Sequence, residues 1–192
     1  MSRVLNLSLI FAALLGGPLA AQDAGEKFIL PALPGYQATG TQTKQDNVVT
    51  TTWLPNGETA DNWTDMMMSL VFPGSKEQPQ DYEATQEKAW MPNCALLSIK
   101  QLSIGIEQGY PTALWQVGCA NNPATGKPEY AWFKAILGND SFYVVSRTFR
   151  FELTSDQQKA AILSVNSAIV CGTMPGDLKC PEIVSLTPPK PQ

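Results

Sequence analysis

An α+β fold, mainly an antiparallel sheet of about six or seven strands flanked by two helices, is what this sequence of 192 residues predicts. Three observations predict it. Short runs rich in Val, Thr and aromatic residues recur between turn signals, which is strand chemistry. Two segments, residues 80–91 and 154–170, combine helix formers with an absence of Gly and Pro. The hairpin EYAWFKAIL, Gly138-Asn139-Asp140, SFYVVSRTFRF is apolar on both faces, so its sheet needs a cover on each side, and the two helices are the available covers.

The chain opens with MSRVLNLSLIFAALLGGPLAAQ, one Arg before an apolar run and then small residues, the layout of a secretory signal peptide with cleavage expected after Ala21. The apolar run is too short to span a bilayer, and no lipidation cysteine sits at the junction. The expected organisation is a signal peptide over 1–21, one exported domain over 22–183 and a Pro-rich disordered tail over 184–192. Localisation is then periplasmic or secreted, with no stable membrane insertion after cleavage. Loss of Arg3 with the leader leaves 12 basic against 17 acidic side chains, a net charge of −5, which makes nucleic acid a poor partner, and none is expected.

After the leader comes an irregular lead. GYQATGTQTKQ and NVVTTTWLP then read as polar strands around an Asp46-Asn47 turn, and WTDMMMSLVF, entered after Asn56-Gly57, reads as a third. QDYEATQEKAWM is the first helix, with Tyr82, Thr85, Ala89 and Trp90 on its inner side. Next, ALLSIKQLSIGI and TALWQVGC form a hairpin through the turn EQGY. A turn centred near residues 107–108 sets Cys94 opposite Cys119 and predicts their bridge, leaving Cys171 with Cys180. Four cysteines in an exported chain read as two disulfides. In the second hairpin a turn centred on Asn139 puts Trp132, Ile136, Phe142 and Val144 on one face and Phe133, Leu137, Tyr143 and Val145 on the other. The final helix, TSDQQKAAILSVNSAIV, is capped by Thr154 or Ser155 and carries an apolar stripe of Ile162, Val165 and Ile169.

Three strands, a helix, four strands and a helix is an order similar to the α/β/α sandwich of the PsbP-like family, extrinsic proteins of the photosynthetic oxygen-evolving complex. A shorter stretch, LPNGETADNWTDMM, resembles a pattern of small uncharacterised secreted proteins of proteobacteria through Gly57, Glu58, Thr59, Trp63, Thr64 and Met66. That resemblance implies a periplasmic location and no activity.

The chemistry is bounded by the absence of histidine from the chain. Ser-His-Asp and Cys-His catalysis, His-ligated metals and the usual proton shuttle near neutral pH are excluded. No phosphate loop, dinucleotide fingerprint or nucleophile elbow occurs, and no cofactor or metal is expected. Glu58, Asp61 and Asp65 could converge from one loop as a carboxylate site or, with Asn56, hold calcium, although the spacing lacks the order of a calcium loop. Met66, Met67 and Met68 could offer thioethers to Cu(I), but strand alternation sends Met67 to the face opposite its neighbours. Trp63, flanked by Asp61, Asn62 and Thr64, is the aromatic expected to be partly exposed. The expectation is therefore a non-catalytic accessory domain that binds an envelope protein or other periplasmic component through Glu58, Asp61, Trp63 and Asp65. Its rivals are a carrier of a small apolar ligand, lined by Trp90 and Met67, and a His-free carboxylate hydrolase.

Overall fold

The structure is a computed structural model that describes residues 25–39, 43–45, 48–94, 96–172 and 179–180. The expected signal peptide, the Asp46-Asn47 turn and the Pro-rich tail lie outside the described residues. In chain order the elements are β1 (Lys27–Ile29), β2 (Tyr36–Ala38), β3 (Thr43–Gln45), β4 (Val48–Pro55), β5 (Asp65–Pro73) and α1 (Pro79–Trp90). After a 3-10 turn over Met91–Asn93 follow β6 (Leu97–Glu107), β7 (Tyr110–Asn122), β8 (Lys127–Leu137), β9 (Ser141–Phe149), α2 (Ser155–Asn166) and β10 (Ile169–Cys171).

The main sheet runs β2-β4-β5-β9-β8-β7-β6, with β3 beside β2 along the outer edge of β4. Its pairings are antiparallel. This is the α+β architecture the hydrophobic pattern implies. One face of the sheet buries Met67, Leu114, Trp132, Val145 and Phe149 against Ala161 and Val165 of α2. The other buries Trp115, Val117, Phe133, Phe142 and Val144 against Tyr82 of α1, with Trp90 packed alongside. Both faces of β8 and β9 are thus covered, and fully burying each of these large side chains stabilises the fold by about 1.5 to 3 kcal/mol.

Several local expectations are corrected. Leu137 pairs with Phe142 and Trp132 with Arg147, so the second hairpin turns between Asn139 and Asp140 instead of on Asn139. Trp132 and Ile136 therefore share a face with Tyr143 and Val145, while Phe133 and Leu137 go with Phe142 and Val144. A shift of one residue inverts the faces of one strand, and the sequence tolerates it because both sets are apolar. In α1 the inward residues are Pro79, Tyr82 and Trp90, whereas Thr85 and Ala89 are exposed. The second helix ends at Asn166. Ile169 belongs to β10, which pairs with β1, a strand within what reads as an irregular lead. Thr154 does cap α2, its hydroxyl accepting from the Gln157 amide while the Gln157 side chain accepts from the Thr154 amide.

Both bridges form as expected, Cys94 to Cys119 and Cys171 to Cys180, with Cα atoms 5.7 Å and 4.9 Å apart. The geometry of the first differs from simple cross-strand pairing. Leu97, not Cys94, faces Cys119 in the β6–β7 register. The turn centre falls between Gln108 and Gly109, where both residues have positive φ, and Cys94 reaches Cys119 from the corner after the 3-10 turn. The bridge therefore ties the end of α1 to the sheet.

Candidate functional site

Gly57, at φ +92° in the left-handed region that suits glycine, turns the chain out of β4. The loop then folds on itself. Glu58 accepts from the Thr64 amide at 2.8 Å and from the Thr64 hydroxyl at 2.6 Å, and Thr59 and Asn62 exchange backbone hydrogen bonds at 3.3 and 3.1 Å. Burial pushes the Glu58 carboxyl up, but its hydrogen bonds from the Thr64 side chain and the Thr64 and Asp65 amides outweigh this and hold it below the usual range. Thr59, Ala60, Asp61 and Asn62 form the exposed tip.

Trp63 is not part of that surface. It is only 8 % exposed, which overturns the expectation of a partly exposed anchor. The guanidinium of Arg150 lies 3.6 Å from its ring centroid, a stacked arrangement that shields an aromatic face as packing would. Arg150 in turn donates from Nε to Glu129 at 2.8 Å, and the Asn122 side chain donates to the other Glu129 oxygen at 3.0 Å. The Arg150 amide also donates to the Thr64 carbonyl at 2.9 Å. The base of the loop is clamped to the end of β9.

Asp65 starts β5 and takes a different set of partners. Arg147 grips it through two hydrogen bonds, Nε to Oδ1 at 3.1 Å and Nη2 to Oδ2 at 2.8 Å. Tyr36 donates its hydroxyl to the same carboxylate and accepts from Arg147 Nη2 at 2.8 Å. Burial, and then the neighbouring Asp65, push the Tyr36 hydroxyl up to about 12. Arg147 is raised too: burial works against its charge, but the Asp65 and Tyr36 contacts prevail. The cluster joins β2, β5 and β9.

Of the four residues expected at the site, the structure leaves Asp61 at the exposed tip, folds Glu58 back on Thr64, buries Trp63 under Arg150 and commits Asp65 to Arg147. The three carboxylates do not meet at one centre. Among the described residues no group of three or more Asp, Glu, His or Cys side chains is placed to hold a metal. Met67 is fully buried on the α2 side while Met66 and Met68 are half-buried, as alternation requires. The apolar-carrier geometry is also overturned: Trp90 packs with Phe133 on the α1 side and Met67 lies in the α2-side core, so the sheet separates them. Sequence reasoning missed Arg147 and Arg150. Their signal is the spacing in RTFR, three apart on a strand end, which aims the two cations at opposite faces.

A second polar cluster lies far along β8. Lys134 is 1 % exposed, yet donates to Glu107 at 2.6 Å and to the carbonyls of Asn166 and Ala168 at 2.8 and 3.0 Å. Those carbonyls sit where α2 ends, so the ammonium caps a helix terminus from beneath. Beside it is a cavity of about 10 Å³, bounded by Glu107, Tyr110, Thr112 and Val170. It has room for a single water.

Fold and site together describe an α+β domain clipped by disulfides, with an exposed polar loop braced by an arginine. No family model matches the chain, and no curated protein matches it. Solved structures do show likeness. Cyanobacterial PsbP (CyanoP) from Synechocystis is 12 % identical, with 83 % of this chain and 99 % of that chain covered at a TM-score of 0.48. The Ran-binding protein Mog1p of Saccharomyces cerevisiae is 11 % identical, covering 71 % of this chain and 82 % of that one at 0.43. LpqN, involved in cell envelope biogenesis of Mycobacterium tuberculosis, is 8 % identical, covering 79 % and 87 % at 0.39. Likeness of chain path does not fix a common function.

Proposed function

We propose that this protein is a non-catalytic accessory domain of the cell envelope that recognises another envelope component through the 56–65 loop. The observation that carries the reading is the division of labour within that loop. Thr59 to Asn62 are exposed, while Glu58 closes the loop on Thr64 and Trp63 is fixed beneath it by Arg150. A polar surface held on a rigid base loses little freedom on binding, which favours recognition. Asp61 and Asn62 are the contact residues in this reading, and Trp63 and Asp65 position the loop from below. The two disulfides support an oxidising, extracytoplasmic compartment. A histidine-free chain whose Glu58 and Asp65 carboxylates are already engaged offers little for a hydrolase.

The test is photocrosslinking from position 61 in the intact envelope, followed by mass spectrometry, alongside Asp61→Lys and Asn62→Ala variants. The expected result is a defined partner that the variants no longer capture while their melting temperatures stay at the wild-type value. Capture at wild-type strength by Asp61→Lys would place the binding surface elsewhere.

A further inference from the structure

The main sheet has two edges that differ in kind. One is made of β2 and β3, three residues each, and the other is β6, eleven residues long. An edge strand presents a row of backbone donors and acceptors to any other strand, and proteins usually blunt such edges with short strands, prolines, repeated charges or bulges. The irregularity of β6 is confined to Gln101–Ser103 and leaves Ser103 to Glu107 in regular register. β6 contains no proline, and its charged residues are Lys100 and Glu107 alone. Ile104 and Ile106 on it are 51 % and 75 % exposed.

We propose that β6 pairs antiparallel with β6 of a second copy of this chain, with the two-fold axis passing beside Ile104. The register follows from the irregularity in β6. Its pairing with β7 shifts between Gln101 and Ser103, so that Lys100, opposite Gln116, and Glu107, opposite Tyr110, lie on the same face despite their odd separation. In an unbroken strand they would point to opposite faces. Setting Ile104 against its own equivalent, and passing over the extra residue on each strand, places Ser103 opposite Gly105, Gln101 opposite Ile106 and Lys100 opposite Glu107. Every pair then shares a face. Because the axis repeats each one, the interface has an apolar centre and two ion pairs of opposite sense, a self-complementary arrangement. Glu107 accepts from Lys134 through Oε2, but its side chain is 42 % exposed and a carboxylate has a second oxygen for Lys100.

Sedimentation equilibrium from low micromolar to millimolar protein tests this. Wild type is expected to dimerise, and Lys100→Glu to weaken the dimer at least tenfold. Ile104→Lys, which places like charges across the axis at an exposed position, is expected to be monomeric, with the melting temperature that wild type shows at concentrations where it too is monomeric. With the native cysteines all in disulfides, Ile104→Cys adds one thiol. Facing residues of an antiparallel pair lie within bridging distance, so this variant should oxidise to a covalent dimer. Leu163→Cys, on exposed α2 surface, should not. A wild type that stays monomeric, including one that instead captures an extended peptide, would overturn the proposal. So would a dimer that survives Ile104→Lys, or equal crosslinking through Cys at 163.

Discussion

The Arg150 guanidinium lies 3.6 Å from the ring centroid of Trp63 and donates to Glu129 at 2.8 Å. One cation thus covers an indole, pairs with a carboxylate of β8 and holds a surface loop to the sheet. The loop's conformation is therefore a property of the strand end beneath it.

Removing the indole should be costly. Trp63→Ala is expected to lower stability by about 3 to 5 kcal/mol, the range for deleting a buried large aromatic. Arg150→Ala should cost about 2 to 3 kcal/mol, less than breaking a fully buried pair because Arg150 keeps some contact with water. A denaturant double-mutant cycle should show coupling of about 0.5 to 3 kcal/mol, since the two residues touch. Simple additivity would mean that the stack contributes nothing.

Lys134 should behave as a structural cation. Lys134→Met leaves two carbonyls at the end of α2 without their donor, while the Glu107 carboxylate, 42 % exposed, can turn to water, and stability should fall by about 1 to 3 kcal/mol. Hydrogen exchange should locate the loss in the last turn of α2 and in β10. A variant with unchanged protection there would show that the carbonyls find other donors.

The two bridges should differ in worth. Cys94–Cys119 spans 25 positions and Cys171–Cys180 spans 9. Chain entropy then predicts losses of roughly 3.5 and 2.7 kcal/mol when each pair is changed to Ala. Urea melts of the two double variants give the comparison, and a larger loss from the shorter loop would contradict the entropic account.

Three tyrosines should titrate late. Tyr36, Tyr82 and Tyr143 are pushed up to about 12, in each case first by burial and further by a neighbouring acid: Asp65, Glu77 and Glu26 respectively. A folded-state pKa above the unfolded value near 10 means that the native state holds these protons more tightly. Their contribution is fully present below about pH 10 and is lost as pH rises towards about 12. Glu58 acts in the opposite sense. Its lowered pKa contributes above the ordinary carboxylate range and fades as pH falls through the depressed value. Absorbance at alkaline pH, followed together with circular dichroism and assigned with single Tyr→Phe variants, should show these three phenols ionising well above pH 10; ionisation of Tyr36, Tyr82 or Tyr143 near pH 10 in the folded protein would contradict it.

Much of the architecture was legible in the residues themselves. Apolar patterning in EYAWFKAIL and SFYVVSRTFRF requires cover on both faces, and the two helix-forming segments supply it. Alternation placed Met67 apart from Met66 and Met68, and the cysteines left few ways to pair. These are local consequences of period, turn chemistry and composition. What only the tertiary structure decided lies in long-range partners. Trp63 stands among Asp, Asn and Thr and so reads as a surface residue, but Arg150 arrives from 87 positions along the chain to cover it. Ile169 continues a helical stripe, yet its backbone pairs with Ile29 of β1, and α2 stops before it where Lys134 takes up the terminal carbonyls. Sequence periodicity reports which side of its own element a residue occupies. It carries no information about which distant charge or strand will meet that side, and here those meetings determine whether a loop residue is buried and where a helix ends.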